Sequence, residues 1–270
     1  MPDPSFVLTL LLQSMLIPTG VSAALLLVFG RARREWPAPL AIAAGFLASM
    51  AATYHAQWSF PPHQALDWMP LVLAAALCAI GVERSGSWLL RLLLCALTAA
   101  VVAMPALGSM GSAKTLAAVA AMAMLMTAAW TMLAASAARP AAPLALTVVA
   151  GGAGLALMID ASQLIGQLCG ALGVAIGVCG LLRRQTGGFG PAAVGASVLL
   201  LGALLGYAAI YAGFGMLLMA LLVLALLAGA LLAAVRSKPV AALPGALLAV
   251  VPVLAAVGLA LKAMQASGGY

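Results

Sequence analysis

Few side chains in this sequence can do acid–base or ion-binding chemistry, since its 270 residues include only 12 Lys or Arg and 5 Asp or Glu. One polar group combines an acid with two amides, namely Asp160, Gln163 and Gln167. A carboxylate inside the hydrocarbon region of a membrane is costly, so an acid at that depth indicates a proton or cation site. If the preceding apolar run ends at Ile159, Asp160 is instead a solvated turn residue that caps the next helix, and this simpler interpretation is favoured.

Two further groups could face a solute. Gln13 and Pro18 lie in the first apolar run, where a proline frees a backbone carbonyl that either faces a solute or bonds to a neighbouring helix. Tyr207 and Tyr211 are one helical turn apart and could line a cavity or donate a hydrogen bond to Asp160. The candidate solute or ion site therefore consists of Asp160, Gln163, Gln167, Gln13, Pro18, Tyr207 and Tyr211.

Metal and cofactor binding have weak support. His55, His63 and Asp67 are weak candidates for a surface copper or zinc site, although lone histidines near a membrane surface more often form interfacial hydrogen bonds. Methionines are crowded between Met122 and Met132, but several are two residues apart, and such residues point to different faces of a helix. The sequence contains no catalytic or nucleotide motif, so we expect no cofactor and do not expect an enzyme.

The elements that hold these residues are apolar segments long enough to cross a bilayer. Hydrophobic residues make up 66% of the chain and charged residues 6%, which would leave a soluble fold with almost no polar surface. A membrane-spanning helix needs about 20 predominantly apolar residues. The sequence predicts an all-α integral membrane protein, a polytopic bundle of about ten transmembrane helices at Phe6–Phe29, Ala38–Ala56, Trp68–Val82, Trp88–Ala106, Thr115–Ala134, Pro143–Ile159, Leu164–Leu182, Pro191–Ala212, Gly215–Val235 and Pro244–Ala263.

The basic residues predict the topology, because they cluster in alternate segments between the spans. The positive-inside rule assigns these segments to the cytoplasm and both termini to the extracytoplasmic side. This distribution explains the net charge of +7 without nucleic acid. The clusters are Arg31, Arg33 and Arg34; Arg84 and Arg91; Arg139; Arg183 and Arg184; and Arg236 and Lys238, whereas Lys114 and Lys262 lie on the other side.

Glycines recur at helical spacing in two consecutive spans. Small residues allow helix backbones to approach closely in a membrane, so the pattern predicts that the seventh and eighth spans pack face to face. A smooth glycine surface would also allow one helix to slide on another, as alternating access requires. The helix-packing residues are Gly166, Gly170, Gly173, Gly177 and Gly180 in the seventh span and Gly195, Gly202 and Gly206 in the eighth.

We expect a single transmembrane domain over residues 1–270. Short matches between Pro39 and Pro143, and between Ala79 and Ala175, suggest a tandem four-helix repeat over residues 38–134 and 143–235. Alanine, leucine and glycine are so abundant in this chain that chance matches are also expected.

Two functions fit this architecture. The first is a small-solute or ion permease, supported by the number of spans, the glycine-rich helices and the acid near the membrane. The alternative is a non-catalytic integral membrane subunit that docks or anchors partner proteins in a larger membrane complex, supported by the shortage of polar groups in the spans. A water-accessible cavity between the first, seventh and eighth spans favours transport, whereas a solid bundle with an exposed apolar groove favours the subunit.

The lipid bilayer is the expected partner, with other membrane subunits or a homo-oligomer as further partners and no nucleic acid. Arginine outnumbers lysine, and alanine and glycine are abundant, which is typical of GC-rich bacterial genes. We therefore expect a multi-pass protein of the bacterial plasma (inner) membrane.

Overall fold

The computed structural model describes residues 4–29, 36–54, 57–184, 188–235 and 242–266. In these ranges every regular element is helical. The α-helices are α1 (Pro4–Leu11), α2 (Ile17–Phe29), α3 (Pro37–Tyr54), α4 (Met69–Ser85), α5 (Trp88–Ala103), α6 (Leu107–Met110), α7 (Ser112–Ala134), α8 (Ala141–Asp160), α9 (Gln163–Arg183), α10 (Pro191–Tyr211), α11 (Met216–Val235) and α12 (Ala242–Ala266).

Most of these helices have the length and composition of membrane spans. Within the described residues, nine helical segments are long and apolar enough to cross a bilayer. The shorter apolar segment Met216–Leu231 of α11 corresponds to the predicted ninth span. Each predicted span therefore coincides with a helix, because a long apolar run in this chain has no competing turn signal.

Several helices are longer than the sequence suggested, among them α4 and α8. α4 continues to Ser85 instead of ending at Val82, and a 3₁₀ turn at Ala65–Trp68 precedes it. α8 covers Ala141–Asp160, so a two-residue turn separates it from α9. Charged residues at the ends of both runs lowered the hydropathy there. The backbone nevertheless stays helical through them, which keeps its amides and carbonyls hydrogen-bonded.

α10 forms the centre of the bundle, and 83% of its span is buried inside the protein. It contacts α3, α4, α5, α7, α8 and α9. Its side chains Leu199, Leu200 and Leu204 are fully buried. Around this centre, α2 packs against α3 and α9, and α12 packs against α8 and α11. Van der Waals contact is the main attraction between helices in lipid, so close packing around α10 is what holds such a bundle together.

The bundle has two distinguishable ends, because consecutive long helices run antiparallel. We call one the arginine end; it carries Arg84, Arg139 and Arg183. We call the other the loop end; it carries the segment 57–64 and the turn between α8 and α9. At the arginine end, Gly188 lies close to Ala138 in the 135–140 connection, so these two loops lie together.

Candidate functional site

Asp160 is the last residue of α8 and is exposed. Its Oδ2 atom accepts a hydrogen bond from the Gly215 amide, just before α11, at 3.4 Å. Ser162 caps α9 in its place, since the Ser162 hydroxyl oxygen accepts from the Ile165 amide at 3.4 Å. The candidate acid therefore lies on the surface at the loop end and not inside the bundle.

The other members of the candidate site do not gather around Asp160. Gln163 is exposed in the first turn of α9, whereas Gln167 is buried one turn later. The rings of Tyr207 and Tyr211 pack together with centroids 6.0 Å apart. The Tyr211 hydroxyl donates to the Val102 carbonyl at 3.0 Å, which ties α10 to α5. In the described part of the chain, neither tyrosine makes the predicted hydrogen bond to Asp160.

Pro18 reshapes the first helix. It has no amide hydrogen, and its ring crowds the preceding turn, so the chain forms a π-helical turn over Leu12–Leu16. The Ile17 amide then donates to the Leu12 carbonyl, five residues back. The Gln13 carbonyl would have been its partner in an α-helix and is left without that bond. The prediction that Pro18 frees a backbone carbonyl is thus correct.

The freed carbonyl is used by a neighbouring helix. The Ser49 hydroxyl on α3 donates to the Gln13 carbonyl at 2.7 Å. The Gln13 side chain donates in turn to the Ala52 carbonyl at 3.0 Å, and the Ser22 hydroxyl to the Ala41 carbonyl at 2.9 Å. These bonds fasten the first helix to α3, so Gln13 serves packing in the bundle.

Asp67 is buried beneath the loop that precedes α4. The Tyr54 hydroxyl donates to its Oδ1 at 2.8 Å, and the Ser59 hydroxyl donates to its Oδ2 at 2.9 Å. The backbone amides of His63 and Gln64 also donate to Oδ2, at 2.9 and 2.8 Å. An ionised carboxylate can only accept hydrogen bonds, so these donors stabilise its charged form and fix the loop against α3.

This network leaves Asp67 poorly suited to bind a metal. Its oxygens already face protein donors, and His63 contributes its backbone amide while its side chain is exposed. Across the described ranges, no group of three or more His, Cys, Asp and Glu side chains could hold a metal ion. His55, the third weak candidate, lies outside the described residues.

The glycine face of α9 packs against α8, so the predicted pairing with the eighth span is wrong. A Cβ atom at Gly166 would lie 2.7 Å from the Gly154 carbonyl oxygen, and one at Gly173 would lie 3.0 Å from the Gly151 amide nitrogen. The two backbones are therefore in direct contact. Connectivity explains the choice of partner, because the two-residue turn folds α8 and α9 into a tight antiparallel hairpin.

The glycines of the stripe differ in how closely they are covered. A Cβ atom at Gly180 would lie 2.6 Å from the Pro143 Cβ atom, whereas one at Gly177 would meet only Thr147, at 3.3 Å. A Cβ atom at Gly170 would meet nothing within 4 Å. A methyl side chain at Gly170 would thus meet no neighbouring atom, although Gly170 belongs to the glycine stripe.

The glycines of α10 accept side chains from α7. An added Cβ atom would collide with Trp130 at Gly195, with Met126 at Gly202 and with Met122 at Gly206. The i, i+4 spacing of the two methionines places them on one face of α7, above the central helix. The second glycine pattern therefore receives large side chains and does not form a glycine-to-glycine surface.

The sequence analysis missed a partly buried ion pair. Arg91 Nη2 lies 2.7 Å from Glu83 Oε2, and the side chains are 16% and 5% exposed, respectively. The guanidinium carbon of Arg91 lies 5.8 Å from the ring centroid of Trp130, within the range of a cation–π contact. The sequence signal for this pair was Gly86, a glycine between the two charged residues where a helix can end. In the structure Gly86 adopts φ 65° and caps α4 in the left-handed conformation. A tight α4–α5 hairpin turned at Gly86 brings Arg91 back to Glu83.

A cavity of about 550 Å³ lies between α7, α10 and α11. Gly202 and Gly206 line it on the α10 side. Met216 is 79% exposed and Leu125 is 40% exposed, so the cavity opens at the surface of the bundle. Its walls are almost wholly apolar and include five methionines: Met110, Met122, Met126, Met216 and Met219.

The cavity is elongated along α11. Its lining residues on α11 run from Met216 to Leu227, which at 1.5 Å per residue is about 16 Å. A groove of this length with apolar walls fits an extended hydrocarbon chain.

Comparison with known proteins adds no relative, since no protein-family model, curated protein or solved structure matches this chain. The fold is an all-helical bundle of membrane-length helices in the described ranges. The interpretation of its site therefore rests on the geometry above.

Proposed function

We propose that this chain is a non-catalytic, multi-pass membrane protein that binds one apolar, chain-like molecule in the cavity between α7, α10 and α11. The observation that carries the proposal is the cavity itself, which is about 550 Å³ in volume, apolar and open at the bundle surface. Ligand sites in proteins commonly have volumes of about 300–1,000 Å³. In a bilayer, such an opening on the side of the bundle faces lipid, so an apolar molecule can enter without crossing water.

The methionines support this function. A methionine side chain is unbranched and polarisable, so it adapts to ligands of irregular or variable shape. Met122 and Met126 line the cavity and pack against Gly206 and Gly202 of α10. The cavity can therefore adjust its width to a flexible chain more easily than a site walled by branched side chains.

Of the two functions expected from the sequence, the geometry supports the membrane subunit better than an ion-coupled permease. The apolar cavity lies along the fifth, eighth and ninth spans, and Asp160 is exposed at the loop end. A partner protein would dock on the outer faces of the bundle. We place the protein in a bacterial plasma membrane, with both termini outside. The tandem repeat over residues 38–134 and 143–235 stays a prediction.

A cavity-filling variant tests the proposal. Ala121 lines the cavity, whereas Ala120 is exposed on the same helix and does not line it. We expect a diazirine derivative of hexadecanol to label peptides from α7 and α11 in the purified protein. Ala121→Trp should reduce this labelling, because the indole occupies part of the cavity, and Ala120→Trp should retain it. Equal labelling of the wild type and Ala121→Trp, with both proteins folded, would refute the proposed site.

A further inference from the structure

Lys114 continues the cavity wall of α7 toward the loop end. The α7 residues that line the cavity include Ala118, Ala121, Met122 and Leu125, which follow the i, i+3, i+4 pattern of one helix face. Lys114 precedes Ala118 by four residues and therefore lies on the same face, one turn closer to the end of the helix. Met110, the last residue of α6, also lines the cavity near this end of α7.

The charge of Lys114 is available to a ligand. Its side chain is exposed, and within the described ranges the ion pair found is that of Arg91 and Glu83, at the other end of the bundle. Asp160 also lies at the loop end, but its carboxylate accepts from the Gly215 amide at the junction of α8 and α11. Lys262 is exposed on α12, which does not line the cavity.

We infer that the cavity binds a single-chain amphiphile with an anionic headgroup, its hydrocarbon chain among the methionines and its carboxylate or phosphate at Lys114. This inference rests on the proposed function. It follows from charge complementarity, since a long apolar cavity with one cation in line with its wall matches an apolar chain with one anion at its end. The flexible stem of a lysine packs along apolar surface while its ammonium reaches the polar boundary, which suits Lys114 to hold a headgroup there.

The electrostatic contribution is small and measurable. An exposed ion pair changes a dissociation constant by roughly two- to five-fold, so the chain supplies most of the affinity and Lys114 supplies selectivity for the anion. Added salt should reduce this selectivity, because exposed charges are screened.

The experiment compares photoreactive hexadecanoate, hexadecyl phosphate and hexadecanol on the full-length protein in neutral detergent. We expect both anions to bind more tightly than the alcohol, and the tighter of the two identifies the headgroup as a carboxylate or a phosphate. Lys114→Gln should weaken binding of the anions by about two- to five-fold and leave hexadecanol unchanged. Lys262→Gln, the matched control, should leave all three unchanged.

The outcomes separate this inference from the proposed function. If hexadecanol binds as tightly as the anions, or if Lys262→Gln has the same effect as Lys114→Gln, the anionic headgroup is wrong. The cavity still stands in that case, provided that Ala121→Trp reduces binding of hexadecanol. If Ala121→Trp leaves binding of the alcohol intact, the proposed function fails as well.

Discussion

Glu83 and Arg91 place two opposite charges inside a bundle of apolar helices. Their contact of 2.7 Å, with the Arg91 guanidinium carbon 5.8 Å from the Trp130 ring centroid, offsets part of the loss of water around both groups, and Glu83 Oε1 and Arg91 Nε have no hydrogen-bond partner among the described residues. Asp67 at the loop end meets the same requirement differently, through neutral donors from Tyr54 and the loop. In both places a charge is kept in the protein by partners from another segment of the chain.

Removal of one partner of this pair should cost far more than removal of both. Arg91→Met leaves a buried carboxylate without its counter-charge, which typically destabilises a protein by about 3–5 kcal/mol. The double variant Glu83→Gln, Arg91→Met leaves no charge and should recover most of that loss. Thermal unfolding of the wild type, both single variants and the double variant in detergent measures the coupling. Additive effects of the two substitutions would show that the pair does not stabilise the bundle.

For the charged and polar residues, the sequence did not predict which partners they contact. Arg91 was counted as one of the basic residues that mark the cytoplasmic side, although it lies within α5 and faces Glu83. Hydropathy treats each residue separately, so it cannot tell a solvated arginine from one that a hairpin turns inward. The carbonyl freed by Pro18 was predictable from local chemistry, whereas its partner Ser49 was not, because that contact depends on how α3 packs.

At the scale of elements, the long apolar runs predicted the helices well, because each run has one favourable structure in a membrane. The glycine stripe correctly marked a face of close approach on α9, but spacing along one helix carries no information about which helix it meets. The two-residue turn after α8 was the relevant signal. Because the turn is so short, α8 must be the nearest neighbour of α9.

The α8–α9 hairpin provides a matched pair of substitutions. Gly166→Ala places a Cβ atom 2.7 Å from the Gly154 carbonyl oxygen, so the helices must separate, at a cost of roughly 1–3 kcal/mol. Gly170→Ala fills open space and, since alanine favours a helix, should be neutral or stabilising by about 0.5–1 kcal/mol. The midpoint of thermal unfolding in detergent should therefore fall for Gly166→Ala and not for Gly170→Ala. Equal destabilisation by both would contradict the direct backbone contact.

The whole molecule combines a dense centre with an adaptable flank. α10 is surrounded by helices, and Gln13 and Ser22 of the first helix are hydrogen-bonded to α3. The methionine-lined cavity lies beside this centre, where α7 and α11 flank α10 and flexible side chains cover its glycines. The ligand proposed above would thus enter and leave away from the α8–α9 hairpin and the Glu83–Arg91 pair.

The orientation of the bundle in a membrane determines which leaflet supplies that ligand. The positive-inside rule places the arginine end in the cytoplasm, so the loop end, with Lys114, should face the exterior. His63 and Arg184 are exposed at opposite ends and report these two sides. In a variant without the four native cysteines, His63→Cys should react with an impermeant maleimide in intact cells, and Arg184→Cys only after permeabilisation. Labelling of Arg184→Cys in intact cells would show that the topology is the reverse of the predicted one. The headgroup proposed to bind at Lys114 would then come from the inner leaflet.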